Sequence, residues 1–94
     1  MLNMNESFLE KEAGIYKALA HPVRLEILKL LIPRNLGVDK LSKLLSKRQP
    51  NISQHLQILK KVGLVFPTKV GKRRIYQIDV RWASVLKQIS GYLK

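Results

Sequence analysis

Between Leu41 and Asp79 the chain reads as a short amphipathic helix, a polar turn, a second helix opened by Pro50 and ended by Gly63, and two strands joined by Lys69-Val70-Gly71-Lys72-Arg73-Arg74. Few folds accept that succession. Two short helices followed by a basic hairpin can set one helix in the major groove of DNA and lay a cationic ribbon beside it. Charge follows the same division. Residues 1–39 carry five basic and five acidic side chains, whereas residues 40–94 carry thirteen basic and one acidic, Asp79. The whole net charge of +12 therefore sits on the part that holds the helix pair and hairpin.

Ninety-four residues predict a single domain, 1–94, too small to bury more than roughly 60–65% of its unfolded surface. With no cysteine, disulfides, thiolate metal sites and thiol redox sensing are excluded, so self-association is the expected source of extra stability. Met1-Leu2-Asn3-Met4-Asn5-Glu6 lacks the basic start and apolar run of a signal peptide. The most apolar stretch, Leu25 to Ile32, is short and interrupted by Glu26 and Lys29, so no membrane span is expected. These features predict a cytoplasmic protein with a polyanionic partner, nucleic acid being the commonest. A membrane surface would instead favour one basic amphipathic helix over charge spread through loops, helix and hairpin.

Asn5 can cap a first helix to about Ala20, with Phe8, Ile15, Tyr16 and Leu19 at helical spacing. Pro22 suits the first turn of a second helix, in which Val23, Ile27, Leu30 and Leu31 share one side; Pro33 stops it and Gly37 marks a loop. A third helix from Val38 to Ser46 carries Leu41, Leu44 and Leu45, and Ser46-Lys47-Arg48-Gln49 forms the turn. Strands over Leu64–Lys69 and Lys72–Ile78 follow, Pro67 restricting the first to an edge and suiting a two-stranded ribbon. Asp79 then caps a last helix bearing Trp82, Val85, Leu86, Ile89 and Leu93. The expected class is mainly α (α+β), a winged helix-turn-helix in the order ααααββα with a dimerisation helix at each end, about 6–20 and 80–93.

On the helix after Pro50, Ile52, Leu56 and Leu59 fall in one apolar stripe. Nearly opposite lie Gln54, Gln57 and Lys61, flanked by Asn51 and Ser53. Gln and Asn can pair bidentately with adenine, and Ser can donate or accept at several base edges. Asn51, Ser53, Gln54 and Gln57 are therefore the candidate base readers, against the plainer reading of a solvated face. Lys43, Lys47, Arg48 and Lys61 are candidates for phosphate, which fixes register without carrying sequence information. His55 lies nearer the apolar side and suits packing or a phosphate better than a metal. Ile58 projects to the outer flank with no evident role there.

Lys69, Lys72, Arg73 and Arg74 crowd the hairpin tip around Gly71. Edge strands often carry Lys to block aggregation, but four cations with no acid nearby exceed that need and predict phosphate or minor-groove contact. Alternation puts Arg73 with Ile75 on one side of the strand and Arg74 with Tyr76 on the other, so only some can meet DNA together.

The segments Ala18-Leu19-Ala20-His21-Pro22-Val23-Arg24-Leu25-Glu26-Ile27-Leu28 and Asn51-Ile52-Ser53-Gln54-His55-Leu56-Gln57-Ile58-Leu59-Lys60-Lys61-Val62-Gly63-Leu64-Val65 resemble the ArsR family of winged-helix repressors. The likeness covers about residues 13–82. It implies a homodimer built through the first and last helices, a recognition helix at about Pro50 to Val62, a wing at about Leu64 to Ile78, and repression at an operator of two-fold symmetry. One departure matters. Metal-sensing members place cysteines in a segment that aligns with Asn35 to Leu41, where this chain has Gly37 and Asp39, and the family's other metal site uses Asp and His on the last helix. No histidine follows His55 here. Two isolated histidines do not make a site of three or four soft ligands, so no metal, no cofactor and no metal response are expected.

Phe8, Ile15, Trp82, Val85, Leu86, Ile89 and Leu93 are the expected dimer residues, with Trp82 and Tyr92 of types enriched where subunits meet. The alternative is that both terminal helices close the monomer's own core. An enzyme is not expected, since no nucleophile–base pair, paired carboxylates or phosphate-cradling Gly-rich loop can be assembled. The sequence thus predicts a dimeric, sequence-specific regulator of double-stranded DNA that represses by occluding a promoter. Competing readings are a non-specific architectural protein and a winged-helix protein-interaction module. An RNA binder would need more exposed aromatics than Phe66 and Tyr76 supply.

Overall fold

Three of the helices, the first, second and last, begin where a polar side chain takes up a free backbone donor. In the computed structural model, which describes residues 5–93, Asn5 accepts from the Ser7 N–H at 2.8 Å and opens α1 (Glu6–Leu19). The signal-peptide reading of Met1–Met4 lies outside the described residues. His21 caps α2 (Pro22–Leu31) through Nδ1, which accepts from the Val23 N–H at 3.2 Å, with Pro22 at the position where a missing N–H costs nothing. Asp79 accepts from the Arg81 N–H at 2.8 Å and opens α5 (Val80–Tyr92).

Between these lie β1 (Leu36–Gly37), α3 (Val38–Leu45), α4 (Gln49–Lys61), β2 (Val65–Val70) and β3 (Arg73–Ile78). Both α3 and α4 stop in the same way. After α4 the Leu64 N–H reaches the Leu59 carbonyl and the Gly63 N–H reaches that of Lys60, with Gly63 at φ +82°; this is a Schellman motif with glycine at its left-handed position. After α3 the Lys47 N–H reaches the Ser42 carbonyl and the Ser46 N–H that of Lys43, but the left-handed residue is Ser46 at φ +53°. A hydrogen bond from the Ser42 hydroxyl to the Lys47 carbonyl holds that turn. The stop at Ser46 turns the chain from α3 into α4, and the stop at Gly63 turns it from α4 into β2.

The strands form a three-stranded antiparallel sheet in the order β1-β3-β2. The two-stranded ribbon expected from the sequence is therefore incomplete: Leu36 and Gly37, read as loop, pair with Tyr76 and Ile75 and cover the second edge of β3. Two residues are too few to show strand alternation, and their partners lie in the distant β3. Pro67 does sit on an edge strand, opposite Tyr76.

The core is built from Ile27, Leu28 and Leu31 of α2, Leu41 of α3, Ile52, Leu56 and Leu59 of α4, Leu64 and Val65, Tyr76 and Ile78 of β3, and Leu86 of α5. Burying each such side chain is worth about 1.5–3 kcal/mol. From α1 only Ala18 is buried, so that helix rests on the domain with most of its apolar surface uncovered. Leu44, which shares helical spacing with Leu41 on α3, is exposed. Among the described residues no helix is long and apolar enough to cross a membrane.

Candidate nucleic-acid interface

Because Ile52, Leu56 and Leu59 anchor one side of α4 in the core, the opposite side must face outward. Asn51, Gln54 and Gln57 are exposed on it and Ser53 is half-buried at its margin. The helix begins at Arg48 with no side-chain cap and no acidic residue in its first turn, so its positive dipole end is left uncompensated. Lys47 and Arg48 are exposed in the turn just before it, and Lys43 on α3 behind it. Such an end attracts phosphate. Lys61, at the far end of α4, instead borders a cleft of about 560 Å³ with Glu10, Lys11 and Gly14 of α1. Its surroundings are α1 rather than the turn or the hairpin. Ile58 is 42% exposed on the shoulder beside Gln54.

The hairpin pairs Val65 with Ile78, Pro67 with Tyr76 and Lys69 with Arg74 on one face. At its base that face is buried by Val65, Tyr76 and Ile78 against the core that α4 also enters. At its tip the same face carries Lys69 and Arg74, directly opposite one another. Like charges in that position repel, and a polyanion relieves the repulsion. The tip turns through Gly71, at φ +61°, and Lys72; of the two central residues only the first has positive φ, as a type II′ turn requires.

Arg73 departs from expectation. The sequence sets no acid near the hairpin cations, yet Arg73 Nη2 lies 3.0 Å from both carboxylate oxygens of Asp39, in the first turn of α3. That guanidinium, together with the Lys40 N–H, holds the Asp39 carboxyl below its ordinary range. Gly37 makes room for the pair: a Cβ there would stand 2.9 Å from Asp39 Oδ1 and 3.5 Å from Arg73 Nη2. Lys69, Lys72 and Arg74 have no ion-pair partner among the described residues.

His21, Arg24 and His55 form a joint that escaped the sequence reading. Arg24 Nε donates to the Ala18 carbonyl at 2.7 Å, and its Nη1 lies 3.4 Å from His55 Nδ1. The rings of His55 and His21 are 4.7 Å apart. One arginine thus ties the end of α1 to α2 and α4. A lone cation in the otherwise apolar run Val23-Arg24-Leu25 was the only available signal. Partial burial, then His21, Arg24 and Lys47, hold the His55 pKa below its usual 6.5. The unfolded chain therefore takes up a proton more readily than the folded one. This contribution to stability is complete above pH 6.5 and is lost as pH falls below 6.5 toward the depressed folded value. The midpoint of thermal unfolding should accordingly drop on acidification through that window, and drop less in His55→Gln; equal drops would remove His55 as a cause.

Phe8, Ile15 and Tyr16 of α1 and Trp82 of α5 line a cleft of about 330 Å³. Val85, Ile89 and Leu93, one turn apart on α5, are exposed. Leu86, expected among the dimer residues, is only 4% exposed and belongs to the chain's own core, because α5 must pin itself to α2 before it can present anything outward. The side chain of Tyr92 lies outside the described residues.

Residues 21–66 match the sequence profile of the bacterial regulatory protein arsR family. Over 82 residues the chain is 45% identical to an uncharacterized HTH-type transcriptional regulator of Methanocaldococcus jannaschii, a match that covers 85% of this chain and 92% of that one. Among solved structures, the homodimeric winged helix-turn-helix DNA-binding domain of a possible ArsR-family regulator from Mycobacterium bovis superposes with a TM-score of 0.89 at 28% identity, covering 99% of this chain and 90% of that one. The transcriptional repressor PagR of Bacillus anthracis superposes with a TM-score of 0.78 at 26% identity, covering 90% and 99%.

Proposed function

We propose, for a chain that belongs to the arsR family of bacterial regulatory proteins and is thus a DNA-binding transcriptional regulator rather than an enzyme, that it is a dimeric, sequence-specific repressor acting in the cytoplasm by occluding a promoter. The observation that carries this reading is the outward face of α4, where Gln54 and Gln57 stand clear of the core between the Lys47–Arg48 turn and the hairpin. Amide side chains there suit the adenine edge in the major groove, and Ile58 beside them suits a thymine methyl. Asn51 and Ser53 lie at the groove entry, with Lys43, Lys47, Arg48, Lys69, Lys72 and Arg74 on phosphates. The dimer is supported by the uncovered apolar surface of α1 and α5, by the homodimeric Mycobacterium bovis relative, and by the need for two reading helices roughly 34 Å apart to address a two-fold symmetric operator. Repression is the mode named for the similar Bacillus anthracis protein. The absence of any cysteine from the sequence supports a regulator that does not answer to thiophilic metals.

Fluorescence anisotropy with the protein's own upstream DNA, against a scrambled duplex of equal length, tests the reading. Binding should favour the upstream duplex, and adding zinc should leave the isotherm in place. Gln54→Ala and Gln57→Ala should each cost about 1–3 kcal/mol on the preferred duplex and narrow its advantage. Equal affinity for both duplexes at every salt concentration would favour an architectural protein instead.

A further inference from the structure

We infer that Asp39 sets the sequence-independent grip of this regulator on DNA, by holding Arg73 away from the phosphates that the neighbouring hairpin cations engage. The inference rests on the DNA-binding role proposed for the hairpin. Its ground is the position of Arg73, which sits at the hairpin tip next to Arg74, in reach of the same polyanion, yet turns its guanidinium back onto Asp39 of α3. Strand alternation places Arg74 on the face that carries Lys69, continuous with the buried side against which α4 packs, and Arg73 on the other. There Arg73 Nη2 is shared between both oxygens of Asp39 at 3.0 Å. The arrangement has been given room, since Gly37 beneath it is the residue whose Cβ would meet Asp39 Oδ1 at 2.9 Å. A second bond, from Asn35 Nδ2 to Gln77 Oε1 at 3.1 Å, fastens the segment before β1 to the same strand, so that the hairpin is tied to this edge at two points.

Stability does not explain the pair. The two side chains are 62% and 53% exposed, and ion pairs so open to water contribute little to folding. Their effect on a polyanion is larger. A phosphate contact steepens the dependence of log affinity on log salt by about 0.9, which amounts to roughly 3- to 4-fold between 50 and 200 mM salt. One contact withheld in each protomer of a dimer is roughly 12-fold over the same range. Phosphate contacts hold every sequence alike, so an acid that occupies one wing cation keeps the share of affinity owed to base reading high.

The test is the salt dependence of binding of the 94-residue chain to a scrambled duplex, using Arg74→Ala, Arg73→Ala, Asp39→Ser and the Asp39→Ser/Arg73→Ala pair. Serine at 39 still accepts from the first turn of α3 but is too short to reach Arg73. Arg74→Ala should flatten the slope, Arg73→Ala should leave it at the parental value, and Asp39→Ser should steepen it by about 0.9 per protomer. Adding Arg73→Ala to Asp39→Ser should return it to the parental value. Arg73→Ala flattening the slope as much as Arg74→Ala would keep the hairpin on DNA and overturn the role of Asp39. Steepening in Asp39→Ser that survives loss of Arg73 would overturn it too, by making Asp39 a bare charge. A slope unmoved by Arg74→Ala would take the hairpin off DNA, and the inference with it.

Discussion

Ile89→Asp should convert the protein to a monomer and lower its affinity for a two-fold operator by about 10²–10⁴, the advantage that joining two binding units confers. Ile89 is 52% exposed in the single chain, between Val85 and Leu93 on the uncovered side of α5. A carboxylate there meets only water in the monomer, so the fold tolerates it. In an interface the same group would be buried without a partner, at a cost of several kcal/mol, which two-state assembly cannot absorb. Sedimentation should report a mass near the 10.8 kDa of one chain, with far-ultraviolet circular dichroism unchanged. Leu86→Ala, one turn away, should behave differently: Leu86 is in the chain's own core, so its loss lowers the unfolding midpoint without selecting the monomer. An unaltered mass in Ile89→Asp would place the dimer elsewhere or abolish it.

That contrast marks how far the sequence could be read. Helical spacing on α5 identifies an apolar stripe, but not which members turn toward the chain's own core and which toward a second copy; Leu86 and Ile89 are indistinguishable by pattern alone. Helix bounds were legible because their signals are local. Asn5 and Asp79 as caps, Pro22 and Pro50 in first turns and Gly63 as a stop all act within a few residues of themselves. What escaped is what depends on distant partners. Leu36–Gly37 becomes a strand only because β3 arrives beside it, Asp39 meets Arg73 across 34 residues, and Arg24 meets His55 across 31. The candidate reading face was legible for the converse reason. Once Ile52, Leu56 and Leu59 are assigned to the core, helix geometry alone sends Gln54 and Gln57 outward.

The same alternation separates stability from recognition, and Leu56→Ala measures the separation. Leu56 is fully buried, midway along the helix between Ile52 and Leu59. Truncating it removes a packed isopropyl group and leaves a cavity, at a cost of about 2–5 kcal/mol. A domain of this size holds only about 5–14 kcal/mol in all, and at about 4–8 °C per kcal/mol the unfolding midpoint should fall by roughly 8–40 °C. Gln57 is the next residue in the chain and lies on the outward side, where Gln57→Ala removes no packing. Its midpoint should stay within about 2–4 °C of the parent, what a surface substitution costs, while its preference for the upstream duplex narrows. Leu56→Ala should show the reverse: well below its own midpoint it retains the amide face and hence the ratio of affinities for upstream and scrambled duplex. The paired measurement is a thermal melt and an anisotropy titration on both variants. A Leu56→Ala midpoint equal to the parent would take that side chain out of the core, and with it the geometric reason for pointing Gln54 and Gln57 at DNA.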